Sequence, residues 1–244
     1  MSLPDATLEV EIRGSGEPVV LIQTALTADE FLPLAGQPEL RDNYRVILYH
    51  RRGYAGSSPV QGPGSIERDV LDCRNLLAAL NIERAHVVGV SYSAAVALQL
   101  AATAPGCVHS LCLIEPPPVH IPSAEEFLAA NVQLTEDHRV DGSATALDRF
   151  LVRVIGPAWR RDIEQLLAWR FGAEDARRIS QPVLYLGGTA SGPWFAQVRQ
   201  LVLAWLPQAE DVMFAGADHS LALTHAAQLA AALKTFLRRY TIRT

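Results

Sequence analysis

The sequence predicts a single-domain α/β protein whose mostly parallel sheet is covered by helices on both faces. Short continuous apolar segments recur along the chain, among them PVVLI, AHVVGV and PVLYLGG. Segments with apolar residues at helical spacing separate them, and this alternation is typical of a parallel sheet covered by helices. With 244 residues, 49% of them hydrophobic, the chain is long enough for one well-buried core.

The predicted elements follow this alternation in order. In the first half, strands are predicted at residues 8–12 (an edge strand feeding the next), 18–22, 44–50, 85–90 and 108–114. Helices are predicted at residues 28–40, 66–80 and 94–104. Ser65 precedes the second of these helices and is expected to be its N-cap residue, because a serine oxygen can accept a free N–H of the first turn.

The alternation stops after residue 118 and resumes near residue 180. The segment 119–179 is polar and helix-prone and has no apolar strand, so we expect a short inserted helical lid on a core formed by 1–118 and 180–244. In the resumed core, strands are predicted at 182–188 and 211–216, with helices at about 195–206 and 221–239.

The charge and the composition exclude several classes of partner. The net charge is −5 and the basic residues form no stripe, which argues against nucleic acid and membrane surfaces. The N-terminus lacks a signal-peptide pattern and no apolar run could span a bilayer, so we expect a cytoplasmic protein. Three cysteines without a CxxC spacing indicate neither a disulfide framework nor a metal site. The sequence does not indicate an oligomeric state.

The stretch GVSYS, Gly89 to Ser93, places a serine between a predicted strand and a predicted helix. A tight strand-to-helix turn exposes its central side chain beyond the sheet, where Ser91 could act as a nucleophile. The structural alternative is that Ser91 and Ser93 simply cap the helix.

A serine nucleophile requires a base, and histidine suits that role near neutral pH. His219, in the loop GADHS after the last predicted strand, is the leading candidate, and His50 is a reserve because it ends a strand. The remaining histidines are expected to be structural or exposed: His86, His109, His120, His138 and His225.

The chain resembles the α/β-hydrolase fold superfamily over nearly its whole length. The matching landmarks are the turn before PVVLI, the loop HRRGYAGSS, the turn GVSYS, the strand PVLYLGG and the late GADHS. The resemblance implies that Ser91 is the nucleophile and His219 the base. It further implies hydrolysis of a small ester, thioester or related acyl substrate, with no cofactor and no metal.

The family's usual acid is missing from this chain. The resemblance places that acid at Ser191, and the segment GGTASGPWF contains no carboxylate. Some members carry the acid at the end of the preceding strand, where this chain has Glu115. We therefore predict Glu115 as the partner of His219, the alternative being a structural role at the lid hinge. Asp218 adjoins the histidine but is expected to point away from it.

The oxyanion hole and the substrate pocket depart from the family in other ways. Where members carry His-Gly, this chain has Gln23-Thr24, and the resemblance implies the N–H groups of Ala25 and Tyr92 as the oxyanion donors. Arg51 and Arg52 are expected to be scaffold residues. Trp159 and Trp194 could line an acyl pocket, as could Trp169 and Phe195 nearby, or these rings could pack the lid against the core.

These departures support a second hypothesis from a different class. The unusual acid, the missing His-Gly pair and the serine in the last position of the turn are compatible with a ligand-binding or cyclase-like protein that kept the fold and lost hydrolysis.

Overall fold

The computed structural model describes residues 1–25, 28–60, 62, 64–130 and 158–242, without the side chains of 158–160. Within this part of the chain, seven strands form one sheet in the order β1-β3-β2-β4-β5-β6-β7. The strands are β1 (Val10–Arg13), β2 (Glu17–Ile22), β3 (Tyr44–Tyr49), β4 (Ala85–Val90), β5 (Val108–Ile114), β6 (Val183–Gly188) and β7 (Ala209–Phe214). β1 runs antiparallel to β3, and every other pairing is parallel.

The α/β fold class is confirmed, and the predicted edge strand is present. β1 pairs with β3 at the edge of the sheet. β2, which follows β1 in sequence, pairs with the other side of β3 and so lies one position further in. The central strands β4 and β5 are buried almost throughout, which explains their continuous apolar sequences.

Helices cover both faces of the sheet. They are α1 (Leu32–Ala35), α2 (Pro38–Arg41), α3 (Ile66–Ala79), α4 (Tyr92–Thr103), α5 (Ala158–Ala168), α6 (Ala173–Ala176), α7 (Pro193–Trp205), α8 (Leu221–Thr224) and α9 (Ala226–Leu237). Apolar residues of α3, α4 and α7 pack on one face, and those of α1, α2, α8 and α9 pack on the other. The two cores meet across the sheet.

Two predicted helices are interrupted. The helix expected at 28–40 is wrong as a single element, because Gln37 before Pro38 is extended and separates α1 from α2. The terminal helix is divided at His225, whose non-helical backbone (φ −122°, ψ 30°) lies between α8 and α9. The predicted N-cap is present: the Ser65 Oγ accepts the Arg68 N–H at 3.1 Å.

The described parts of the segment between β5 and β6 are largely helical. The helical residues are 124–130, α5 and α6. Residues 131–157 lie outside the described residues. The lid boundaries at 119 and 179 therefore stay a prediction. Among the described residues, no helix combines the length and the apolarity that crossing a bilayer requires.

Candidate active site

Ser91 lies on a strained turn between β4 and α4. Its backbone has φ 49° and ψ −119°, a left-handed conformation that is uncommon for a residue with a side chain. Such strain costs about 1–3 kcal/mol and is concentrated at functional sites. The turn places Ser91, partly exposed, at the N-terminus of α4.

Two neighbours make this turn possible. A side chain at Gly89 would bring a Cβ atom within 2.3 Å of the Ser93 carbonyl oxygen, so only glycine fits there. The Ser93 hydroxyl accepts the Val90 N–H at 2.9 Å and donates to the Val90 carbonyl at 3.0 Å. The Ser93 side chain therefore stabilises the turn through two hydrogen bonds to Val90.

His219 and Glu115 form a direct pair. The Nδ1 of His219 lies 2.7 Å from Oε2 of Glu115, and the other carboxylate oxygen accepts the Gly188 N–H at 2.8 Å. Glu115 follows β5 directly, is 1% exposed and has a positive φ of 41°, so its backbone is also strained. The carboxylate is thus fixed at the strand end by β6 on one side and by the histidine on the other.

The pair determines which nitrogen of His219 can act as a base. A carboxylate accepts a hydrogen bond, so Nδ1 must carry the proton and Nε2 retains its lone pair. The imidazole also stacks on the ring of Phe195, with centroids 4.0 Å apart and an angle of 24°. Its side chain remains 36% exposed, which leaves the ring accessible from the cleft.

The topology brings these residues to one edge of the sheet. β4 to β7 run parallel, so the residues that follow β4, β5 and β7 all lie at the carboxyl edge. The Ser91 N–H donates to the Ile114 carbonyl at 3.0 Å, and Ile114 immediately precedes Glu115. Ser91 and Glu115 are therefore held by one pair of adjacent strands, and His219 joins them through Glu115.

The other candidate acid and base positions lie in different surroundings. The Asp218 carboxylate accepts the Ser220 N–H at 2.9 Å, a local turn contact, rather than binding His219. The Ser191 Oγ is buried and has no hydrogen-bond partner within the described part of the chain. The ring of His50, the reserve base, faces Asp29 at 3.4 Å and Glu9 at 3.8 Å.

The remaining histidines take part in packing or in local contacts where they are described. His86 is fully buried and bonds Ser110, His109 lies 3.1 Å from the Tyr240 carbonyl, and His120 packs against Trp169. His225 lies beside the hydroxyl of Thr224 at 2.9 Å. His138 is outside the described residues.

The two implied oxyanion donors flank the serine turn. Tyr92 is the first residue of α4, and Ala25 follows β2, which pairs with β4. The Thr24 hydroxyl donates to the Val90 carbonyl at 2.8 Å and so joins the loop after β2 to the turn that carries Ser91.

The aromatic residues do not all serve one purpose. Trp169 and Phe171 are buried and stacked at 5.1 Å, and the Trp169 N–H donates to the Gln99 side chain at 2.8 Å. These two rings pack the inserted segment against the core. Trp194 is half-buried at the start of α7 and contacts Phe127 edge-on at 5.4 Å. The side chain of Trp159 lies outside the described residues.

Sequence reasoning missed the roles of Gly188 and Phe195. Gly188 supplies an N–H to Glu115, and any Cβ atom there would lie 2.1 Å from the Ala217 carbonyl oxygen. The signal was the glycine pair ending PVLYLGG, which an ordinary buried strand does not need. No comparable signal could identify Phe195 as the ring that supports His219, because the contact depends on the relative placement of two elements.

The chain matches the model of the Alpha/beta hydrolase family over residues 19–232. That match covers most of the chain, so the protein belongs to this family, and the seven-stranded sheet and the serine turn are those of an α/β-hydrolase.

Individual relatives are similar to parts or to the whole of the chain. The 3-oxoadipate enol-lactonase 1 of Acinetobacter baylyi is 34% identical over 97 residues, which are 38% of this chain and about a third (35%) of that protein. A carboxylesterase structure from Nitrososphaera gargenis has a TM-score of 0.83 at 20% identity and covers 98% of both chains. The enol-lactonase of Burkholderia xenovorans LB400 gives a TM-score of 0.74 at 20% identity and covers 97% of this chain and 98% of its own. At such identities these structures establish the fold alone.

Proposed function

We propose that the protein is a serine hydrolase of small carboxylic esters, thioesters or lactones, with Ser91 as nucleophile, His219 as base and Glu115 as acid. The single observation that carries this proposal is the 2.7 Å pair between His219 and Glu115, formed beside a strained serine turn. The Acinetobacter baylyi relative supports the substrate class, because it is named an enol-lactonase and a lactone is a cyclic ester.

The proposed mechanism uses these three residues in sequence. Nε2 of His219 takes the proton of the Ser91 hydroxyl as its oxygen attacks the substrate carbonyl carbon, and the imidazolium that forms is stabilised by Glu115. The N–H groups of Ala25 and Tyr92 donate to the oxyanion, each contributing about 2.7–4 kcal/mol of transition-state stabilisation. His219 then protonates the leaving alkoxide, which departs and leaves an acyl ester on Ser91.

Deacylation repeats these steps with water. His219 removes a proton from a water molecule, whose oxygen attacks the acyl carbon, and the tetrahedral intermediate collapses to release the carboxylic acid. The proton on His219 returns to the Ser91 oxygen. The proton taken from Ser91 goes to the leaving alkoxide, and the proton taken from water goes to the Ser91 oxygen. The cycle therefore requires no cofactor.

A fluorophosphonate probe tests the proposal. The wild-type protein should acquire one covalent adduct, located by peptide mass spectrometry on Ser91, and a Ser91→Ala variant should acquire none. Wild-type protein that is folded but not labelled would instead favour the ligand-binding or cyclase-like alternative.

Substrate class requires a separate measurement. Turnover of p-nitrophenyl esters of graded chain length, together with a simple lactone and a thioester, should identify the preferred acyl group. Activity on the short esters is expected to depend on Ser91. Turnover that persists in Ser91→Ala would contradict the proposal.

A further inference from the structure

One guanidinium group contacts both halves of the proposed oxyanion hole. Arg51, the first arginine of the loop HRRG, is 2% exposed, and each of its five N–H donors has an acceptor. Two of these acceptors are the backbone carbonyls of Gln23 and Thr24, at 2.8 and 3.3 Å. The Arg51 Cζ also lies 4.1 Å from the ring centroid of Tyr92, whose N–H is the second proposed donor.

The contact with Thr24 bears directly on the Ala25 N–H. The Thr24 carbonyl and the Ala25 N–H belong to the same planar trans peptide, so they point in opposite directions. The Thr24 carbonyl accepts from the buried Arg51 and also from the Gln23 side-chain amide. The Ala25 N–H must therefore point away from the guanidinium.

The Gln23 side chain strengthens this arrangement. Its amide oxygen accepts the Arg51 backbone N–H at 3.1 Å, while its amide nitrogen donates to Thr24. Gln23 and Thr24 occupy the positions where the family often has His-Gly, and glycine would leave the loop freer to rotate. In this chain, hydrogen bonds centred on Arg51 restrict the loop instead.

The remaining donors of Arg51 connect the loop to the inserted segment. They bind Asp69 of α3 at 2.8 Å and Asp162 of α5 at 3.1 and 2.7 Å. The Tyr54 hydroxyl donates to Asp162 at 2.5 Å, and the Tyr92 hydroxyl donates to Asp69 at 2.8 Å. Burial alone would lower the pKa of Arg51, but the carboxylates of Asp162 and Asp69 raise that pKa well above its usual value, so the group stays charged.

We propose that Arg51 is a positioning residue that orients the Thr24–Ala25 peptide for oxyanion binding, and that Asp162 of α5 fixes Arg51 for this task. The inference rests on the proposed serine hydrolase function. Lysine cannot replace Arg51, because one ammonium group cannot bind two carbonyls and two carboxylates in a planar fork.

Arg52 is a matched control. It is also buried and also pairs with two carboxylates, Asp72 at 2.7 Å and Asp5 at 2.8 Å. Among the residues that the structure describes, none of its hydrogen bonds reaches the loop after β2, the serine turn or α5. Arg51→Lys and Arg52→Lys thus make the same chemical change at neighbouring positions. Only Arg51 is hydrogen-bonded to the loop after β2 that carries Ala25.

The experiment compares the full-length wild type, Arg51→Lys, Asp162→Asn and Arg52→Lys on p-nitrophenyl acetate. Arg51→Lys should lower kcat by about 10²-fold, the loss typical of one oxyanion donor, with KM changed by less than about threefold. Asp162→Asn should lower kcat by about tenfold, since it weakens the support and keeps the arginine. Arg52→Lys should melt at a lower temperature and keep kcat within about twofold.

A transition-state analogue distinguishes positioning from general destabilisation. The affinity for phenylboronic acid, whose tetrahedral Ser91 adduct places an oxygen in the hole, should fall in proportion to kcat/KM in Arg51→Lys and Asp162→Asn. Should Arg51→Lys fail to fold, Asp162→Asn decides the question.

Two outcomes would overturn the inference while leaving the hydrolase intact. In the first, the wild type turns over substrate through Ser91 and Arg51→Lys is equally active. If Arg51→Lys does not fold, equal activity of Asp162→Asn is the corresponding result. In the second, Arg52→Lys loses as much kcat as Arg51→Lys. A wild type with no Ser91-dependent turnover would overturn the proposed function as well.

Discussion

The molecule contains two serine–histidine–glutamate clusters at opposite ends of its parallel sheet. At the amino edge, His86 bonds Ser110 through Nδ1 at 2.7 Å and faces Glu17 through Nε2 at 3.3 Å. At the carboxyl edge, His219 bonds Glu115 beside the Ser91 turn. The same three residue types occur at both edges; at the carboxyl edge the hydrogen bond joins His219 and Glu115, and Ser91 is held nearby through its N–H bond to the Ile114 carbonyl.

The difference between the clusters lies in backbone and access. Ser110 and His86 lie within β5 and β4 and are fully buried, so no substrate can reach them. Ser91 and Glu115 have strained positive φ angles, and His219 is partly exposed. Residue identity and hydrogen bonds alone do not define a catalytic site, because the serine must also be presented to the solvent at the edge where loops form a cleft.

The histidines give the largest expected contrast. His219→Gln should lower ester turnover by about 10⁴-fold or more, because it removes the base. His86→Gln should lower the melting temperature and keep kcat close to wild type. Steady-state kinetics and thermal unfolding of both variants measure the two effects. A comparable loss of kcat in His86→Gln would show that the buried cluster takes part in catalysis.

The glutamates test the acid and its position. Glu115→Gln should reduce kcat by about 10³–10⁴-fold, since the histidine loses the group that stabilises its cation, whereas Glu17→Gln should not. Adding Ser191→Asp to Glu115→Gln should restore part of that loss. Near-normal turnover in Glu115→Gln would rule out the acid assignment, and Ser191→Ala alone serves as the control for the loop.

Acid should weaken the folded state through His86. Burial lowers the pKa of His86 to about 4, against about 6.5 in an unfolded chain, with Glu17 only partly opposing. The folded state therefore binds fewer protons between these values, so stability is complete above pH 6.5 and declines as the pH falls towards 4. The total loss is about 3 kcal/mol.

Denaturant unfolding at several pH values checks this prediction. The free energy of unfolding of the wild type should decline between pH 6.5 and 4, and His86→Gln should show a much flatter dependence. An equal slope in the variant would assign the acid sensitivity elsewhere, for instance to His120, whose pKa is also lowered by burial and by Arg170.

The serine of the buried cluster gives the smallest effect. Ser110→Ala removes the hydroxyl that bonds His86 and should cost about 1–3 kcal/mol of unfolding free energy, the range for a buried polar group left unpaired. Ester turnover should be unchanged, in contrast to Ser91→Ala. Urea unfolding and a turnover assay at one substrate concentration are sufficient to compare the two variants.

Local patterns predicted the strands that carry the site. β4 and β5 begin and end at the expected residues, because both are largely apolar segments followed directly by a polar residue. The helices at 28–40 and 221–239 were each predicted as one element because apolar spacing persists through Pro38 and His225. Periodicity does not register a backbone break that preserves the buried face.

The site was predictable as far as chain order and strand ends determine it. Ser91, His219 and Glu115 could be selected because parallel strands end at one edge of the sheet. The Arg51 network was not predictable, since it joins Asp162 to a residue 111 positions earlier in the chain. Contacts of this kind depend on where the inserted segment packs, which no local pattern encodes.

Because the proposed acid, Glu115, lies at the end of β5, the sequence of the loop after β6 is not constrained by the need to carry a carboxylate. The family resemblance implies an acid in that loop, whereas here the Glu115 carboxylate accepts the N–H of Gly188, the last residue of β6. Gly192 is exposed, and a side chain there would meet no atom within 4 Å. Residues between Ser191 and Pro193 can therefore change beside Trp194 without displacing the Glu115 carboxylate, which follows β5.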